Sequence, residues 1–137
     1  MKRIKNVAGR QKSGNIKYIP VADLNFDYPV FCFRHLHRDF HLDNCNAQEK
    51  KSLIEQLVRL SKHSWTELQL SSRHGIGSEK IPLSAIKASI PHGLTITEDV
   101  QTLLAFRFEG YKSFIGLRNK FIFHIIYIDN KFCLYSH

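Results

Sequence analysis

A chain of 137 residues with 43% hydrophobic and 23% charged residues is long enough to bury a core, and its composition excludes disorder as the default. Its 20 Lys and Arg against 12 Asp and Glu give a net charge of +8. That excess points to an anionic partner (nucleic acid, an anionic membrane surface or an acidic protein), with solvated surface charge as the bland alternative.

Residues 1–15 read as a mobile basic arm carrying Lys2, Arg3, Lys5, Arg10 and Lys12, without the apolar stretch of a secretory signal. No apolar run is long enough to span a bilayer, so the expectation is a cytoplasmic protein that meets no membrane. Cys32, Cys45 and Cys133 form no CxxC pair, which argues against a zinc knuckle or a redox motif. Cys32 and Cys133 fall inside apolar runs, where a thiol behaves as a small hydrophobe.

Residues 16–21 suit a short edge strand limited by Pro20. Residues 30–36 have strand character, with Phe31, Phe33 and His35 on one face and Cys32, Arg34 and Leu36 on the other. Asn46 followed by Glu49 predicts a capping box, and Leu53, Leu57 and Leu60, with Ile54 and Val58, repeat at helical spacing over 47–63. Ser64 and Glu67 predict a second, short helix over 65–70. The glycines and serines of 71–82 read as a loop, and 83–88 as a further helical turn before Pro91.

The period then changes to two. Runs at 104–108, 113–118, 121–128 and 132–135 are separated by turn-compatible pairs at Glu109-Gly110, Asn119-Lys120 and Asp129-Asn130. The expected fold is therefore α+β in one domain over residues 1–137: N-terminal strand or strands, one long and one or two short helices, and a C-terminal four-stranded antiparallel β-meander.

Several clusters could carry chemistry. In 121–128, strict alternation places Phe121, Phe123, Ile125 and Tyr127 on one side and Ile122, His124, Ile126 and Ile128 on the other. His124 among isoleucines reads first as a core histidine. Arg107, Lys112 and Arg118 on neighbouring strands, with the closing Tyr135-Ser136-His137, suit phosphodiester chemistry, in which a proton carrier works beside cations that stabilise charge on phosphate. Arg34, His35 and Arg38 form a second basic cluster suited to backbone phosphates. The His35-x-His37 spacing would put two imidazoles on one strand face, but no further metal ligands follow at a recognisable spacing. The third cluster is the loop with Gly75 and Gly77, where Arg73, His74 and Lys80 supply charge for an anion and Glu79 a carboxylate for proton transfer. It lacks the GxxxxGK[ST] pattern of a P-loop. Tyr111, Tyr127 and Tyr135, each near basic residues, are candidate stacking platforms.

The order strand, long helix, short helix and antiparallel meander resembles the RelE/ParE superfamily of small bacterial toxins. So do the "FRF" strand with Arg107, the strand closing on Arg118, "FHIIYID" and the final "LYSH". The resemblance implies a metal-independent endoribonuclease without a cofactor, acting on RNA such as ribosome-bound mRNA and held by an acidic antitoxin partner. It further implies Arg107 and Arg118 as transition-state stabilisers, Tyr135 and His137 as acid/base candidates and Glu79 as a general base. Two other readings stand beside it. One is a non-catalytic nucleic-acid-binding module on the same basic face; the other is a basic protein that binds an acidic protein partner.

Overall fold

The computed structural model describes residues 27–71 and 76–136. They form a mixed α+β fold in which a five-stranded sheet, with one parallel pair and otherwise antiparallel, packs with two α-helices. In chain order the elements are β1 (Val30–Cys32), α1 (Ala47–Ser61), α2 (Trp65–Leu70), β2 (Glu79–Pro82), β3 (Thr102–Glu109), β4 (Lys112–Asn119) and β5 (Ile122–Asp129). Short 3₁₀ turns occur at Leu42–Asn44 and Leu83–Ala85. The sheet order is β1-β5-β4-β3-β2, so β2 to β5 run as an antiparallel meander and β1 adds in parallel beside β5.

Both helices begin where the sequence places them. The Asn46 side chain accepts the Glu49 N–H and the Glu49 carboxylate accepts the Asn46 N–H, each at 2.8 Å. Ser64 and Glu67 repeat the arrangement at α2. α1 buries Ser52, Leu53, Gln56, Leu57 and Leu60, whereas Ile54 and Val58 stay exposed. Two-residue turns join the long strands, each opening on a left-handed residue, Gly110 (φ 59°) after β3 and Lys120 (φ 57°) after β4.

Four expectations are corrected. The meander's outer strand is not 132–135 but Glu79–Pro82, which lies in the segment read as a loop. Residues 132–135 turn away from the sheet because Phe132 adopts φ 58° and the buried Asp129 carboxylate accepts the Cys133 and Leu134 N–H groups, both at 3.1 Å. The strand expected over 30–36 stops at Cys32, and the helical turn expected over 83–88 is a 3₁₀ turn of three residues. Cys133 is exposed, and Cys45 is the buried thiol. The basic arm at 1–15 and the edge strand at 16–21 lie outside the described residues.

The sheet has a core on each face. On the helix-covered face Trp65, Phe106, Phe114 and Phe123 interlock with Leu53, Leu60 and Leu68. On the other face Leu103, Ile115, Ile126, Tyr127 and Leu134 pack beneath Phe40, Leu83, Ile86 and Leu94. A bulge in β5 sets this division: Ile115 pairs with Tyr127 and Gly116 with Ile125, leaving Ile126 as the extra residue. Tyr127 therefore leaves the face of Phe123 and Ile125, where strict alternation would keep it, and joins the second core. Gly116 is required at this point. A Cβ there would overlap the His124 carbonyl oxygen, with its carbonyl carbon at 2.9 Å and the Phe123 ring at 3.0 Å.

Candidate functional site

Strand register decides which nominated residues meet. Glu79 pairs with Ala105, which lies in the second core, so Glu79 projects to the face away from the helices. Arg107 lies two residues along from Ala105 on the same face and pairs with Ser113. The departing C-terminal segment brings Tyr135 to that place, and the Lys87 N–H bonds the Leu134 carbonyl at 2.8 Å, drawing Lys87 in beside it. The result is a cavity of about 580 Å³ lined by Glu79, Lys87, Arg107, Tyr111, Phe132, Tyr135 and Ser136.

Its walls divide by chemistry. The Arg107 guanidinium sits over the Tyr111 ring, 4.8 Å from its centroid, a cation–π contact that holds the cation in place. Phe132 meets Tyr111 edge-on at 5.9 Å, and these rings are 40% and 64% exposed, a large aromatic surface to leave in water. Tyr135 is almost fully buried. Burial pushes its phenol pKa up; the adjacent Ser113 hydroxyl opposes this, the Glu79 and Asp129 charges add to it, and Arg107 again opposes it. The phenol thus holds its proton through neutral pH.

Arg118 is not part of this cleft. It projects from the helix-covered face, where its guanidinium lies 4.3 Å from the centroid of Trp65 and its Nε donates to the Lys120 carbonyl at 2.7 Å. With Lys80, Ser78, Gln69, Trp65, Leu68 and Leu104 it lines a second groove of about 520 Å³. Of the cluster expected from the sequence, Arg107 and Tyr135 thus meet in one site and Arg118 lies in another on the opposite side of the sheet.

The remaining candidates disperse. Lys112 bridges the Glu49 carboxylate at 2.9 Å and the Glu109 carboxylate at 3.0 Å, so it joins α1 to the sheet instead of presenting a bare cation. Arg34 and Arg38 are exposed and His35 half-buried in the segment after β1, at the opposite edge from β2. His35 and His37 diverge: His35 approaches His124, with ring centroids 5.8 Å apart, while His37 packs on Phe40 and Tyr127. Among the described residues no three His, Cys, Asp or Glu side chains gather to hold a metal. His124 is half-buried with its Nδ1 shielded from solvent, and burial, then the neighbouring His35, depress its pKa. Tyr127, nominated for stacking, is fully buried and donates its hydroxyl to the Ser89 carbonyl at 2.9 Å. Arg73, His74 and His137 lie outside the described residues.

The pair formed by His37 and Ser89 invites a nucleophile reading, which its tautomer excludes. Nδ1 accepts the Asp39 N–H at 3.0 Å, so in the neutral ring the proton sits on Nε2, the nitrogen facing Ser89 Oγ at 3.4 Å. The imidazole donates toward the serine and cannot take its proton.

Sequence reasoning missed Lys87 and Phe132. Lys87 carries no local signal, since its place depends on a backbone bond to Leu134, 47 residues away by number. Phe132 was legible in part, because Asp129 ahead of Asn130 and Lys131 is a turn signal whose side chain can also hold the backbone beyond it. No helix among the described residues is long and apolar enough to cross a membrane. In comparison with known proteins, no family model, curated protein or solved structure matches this chain.

Proposed function

We propose that this protein is an RNA-directed, toxin-like endoribonuclease that works without a metal at the cleft of Glu79, Arg107 and Tyr135. One observation carries the reading: a carboxylate, a phenol that keeps its proton, two cations and an open aromatic pair converge on one cavity from four separate parts of the chain. Tyr111 and Phe132 offer faces on which an unpaired base can stack, and the +8 charge of the chain favours approach of a polyanion. RNA, ribosome-bound mRNA included, is the substrate because its own 2′-hydroxyl supplies the nucleophile.

In the proposed reaction the Glu79 carboxylate takes the proton of the 2′-hydroxyl as that oxygen bonds to the adjacent phosphorus. The bond from phosphorus to the 5′ oxygen breaks, and the leaving oxygen takes the Tyr135 proton. The products are a 2′,3′-cyclic phosphate and a 5′-hydroxyl; proton exchange with water then restores both side chains. Arg107 and Lys87 stabilise the negative charge that accumulates on the phosphoryl oxygens.

The test is incubation of the purified protein with single-stranded RNA in the presence of a chelator, beside transcript mapping after induced expression in bacteria. Cleavage leaving cyclic phosphate ends, reduced about 100-fold or more in Arg107→Gln, is the expected result. Intact RNA in both settings, or wild-type rates in Arg107→Gln, would overturn the proposal.

A further inference from the structure

The second groove has no part in that chemistry, yet it brings two cations, Lys80 and Arg118, to one place. Among the described residues neither Lys80 nor Arg118 has a carboxylate within ion-pair distance, in contrast with Lys112 and its two partners. Arg118 is held rigidly by Trp65 on one side and the Lys120 carbonyl on the other. Its terminal amino groups remain for a planar, two-pronged contact of the kind phosphate accepts. Gln69 and Ser78 add neutral donors at the rim. Trp65 is buried and its ring is already covered by Arg118, so the groove offers an anion site and no stacking face.

Position links the groove to the cleft. Glu79 and Lys80 are consecutive residues of β2 and point to opposite faces, Glu79 into the cleft and Lys80 into the groove. β2 is an edge strand of the described sheet, and it contributes one side chain to each site. We propose that the groove of Trp65, Lys80 and Arg118 binds a backbone phosphate of the same single-stranded RNA, which folds over the β2 edge and is gripped on both faces of the sheet. This rests on the cleft being an RNA site and makes Arg118 a substrate-positioning residue acting on a phosphate remote from the scissile one. It also defines the substrate as an unpaired strand of several nucleotides, since a duplex is too stiff to turn around one strand edge.

The test uses fluorescence anisotropy with oligouridylates of increasing length, 2′-O-methylated so that none is cut. Wild type gains affinity once the strand is long enough to reach both faces. Arg118→Gln and the exposed Lys80→Gln each lose about tenfold on long strands, and each lowers the slope of log affinity against log salt by about 0.7. Circular dichroism of Lys80→Gln excludes a folding effect. Long-strand affinity and salt slope equal to wild type in both variants, with binding weakened in Arg107→Gln, overturn the groove and leave the cleft. Binding that depends on Lys80 and Arg118, without cleavage of unmodified RNA, overturns the cleft's chemistry and keeps the groove. No RNA binding by wild type overturns both.

Discussion

The two faces of the sheet are built by different means. On one, α1 and α2 cover an aromatic core of Trp65, Phe106, Phe114 and Phe123, and the covering is regular, capped and apolar. On the other, irregular segments cover the core, tied down by single backbone bonds such as His37 N to Ile126 O at 2.7 Å, Ile128 N to Phe40 O at 2.8 Å and Lys87 N to Leu134 O at 2.8 Å. The Glu79–Arg107–Tyr135 cleft opens on this second face. A close-packed helical layer leaves little room for a polar site, whereas loops carried on a rigid sheet can bring unlike side chains together.

If that division is right, substitutions on the helix face act on stability and those in the cleft on function. The largest effect is expected at Trp65, which is fully buried and donates its indole N–H to the Phe121 carbonyl at 3.0 Å. Trp65→Ala removes the centre of the aromatic cluster and one of the two donors to that carbonyl, which keeps the Val30 N–H at 3.1 Å, so denaturant unfolding should show a loss of about 3–5 kcal/mol, most of it from lost packing. Arg107→Gln, measured the same way, should stay within about 0.5 kcal/mol of wild type. Equal losses in the two variants would erase the distinction between the faces.

Asp129 tests how the loop face is held. Its carboxylate is the tie that directs the chain away from the sheet at Phe132 and toward the cleft. Asp129→Ala leaves the Cys133 and Leu134 N–H groups without these acceptors, at a cost of about 1–3 kcal/mol. Hydrogen exchange should quicken at Leu134 and Lys87 well before it changes in α1. Uniform quickening across both faces would show that the two layers unfold as one.

Local signals could be read from the sequence, and strand register could not. Both helix starts were legible because a capping box is local: Asn46 with Glu49 and Ser64 with Glu67 need only three residues of context. The three long strands were legible from alternation and their turns. β2 was not, because Glu79–Pro82 has one buried side chain, Ile81, and becomes a strand only by pairing with β3. Tyr127 was placed on the wrong face because a one-residue bulge reverses every alternation beyond it. The site divides in the same way. Arg107, Glu79 and Tyr135 could be nominated as residue types, but whether Arg107 and Arg118 share a face depends on register, and they do not.

The smallest effect separates the faces by pH. The helix face is joined to the sheet through carboxylates: Glu49 is held below the usual range first by the Asn46 N–H and then by Lys112, and Glu109 first by the Ser52 hydroxyl and then by Lys112. Depressed carboxylate values add stability that is present above the unfolded value near 4.5 and is lost as pH falls through the lower folded values. On the loop face burial raises the Tyr127 phenol to about 12 from 10.0, so its contribution is intact below pH 10 and is lost as pH rises toward 12. Thermal midpoints should therefore fall at both extremes for different reasons. Lys112→Gln should lower the midpoint by a few degrees at pH 7, and the gap from wild type should close as pH falls through the lowered folded values of Glu49 and Glu109, below which both carboxylates are neutral in both proteins. Tyr127→Phe should instead remove part of the alkaline loss and leave the acid limb as it is. An acid limb unchanged by Lys112→Gln would mean that the Lys112 bridge contributes nothing to holding α1 on the sheet, which apolar packing and the Ser52–Glu109 hydrogen bond then secure.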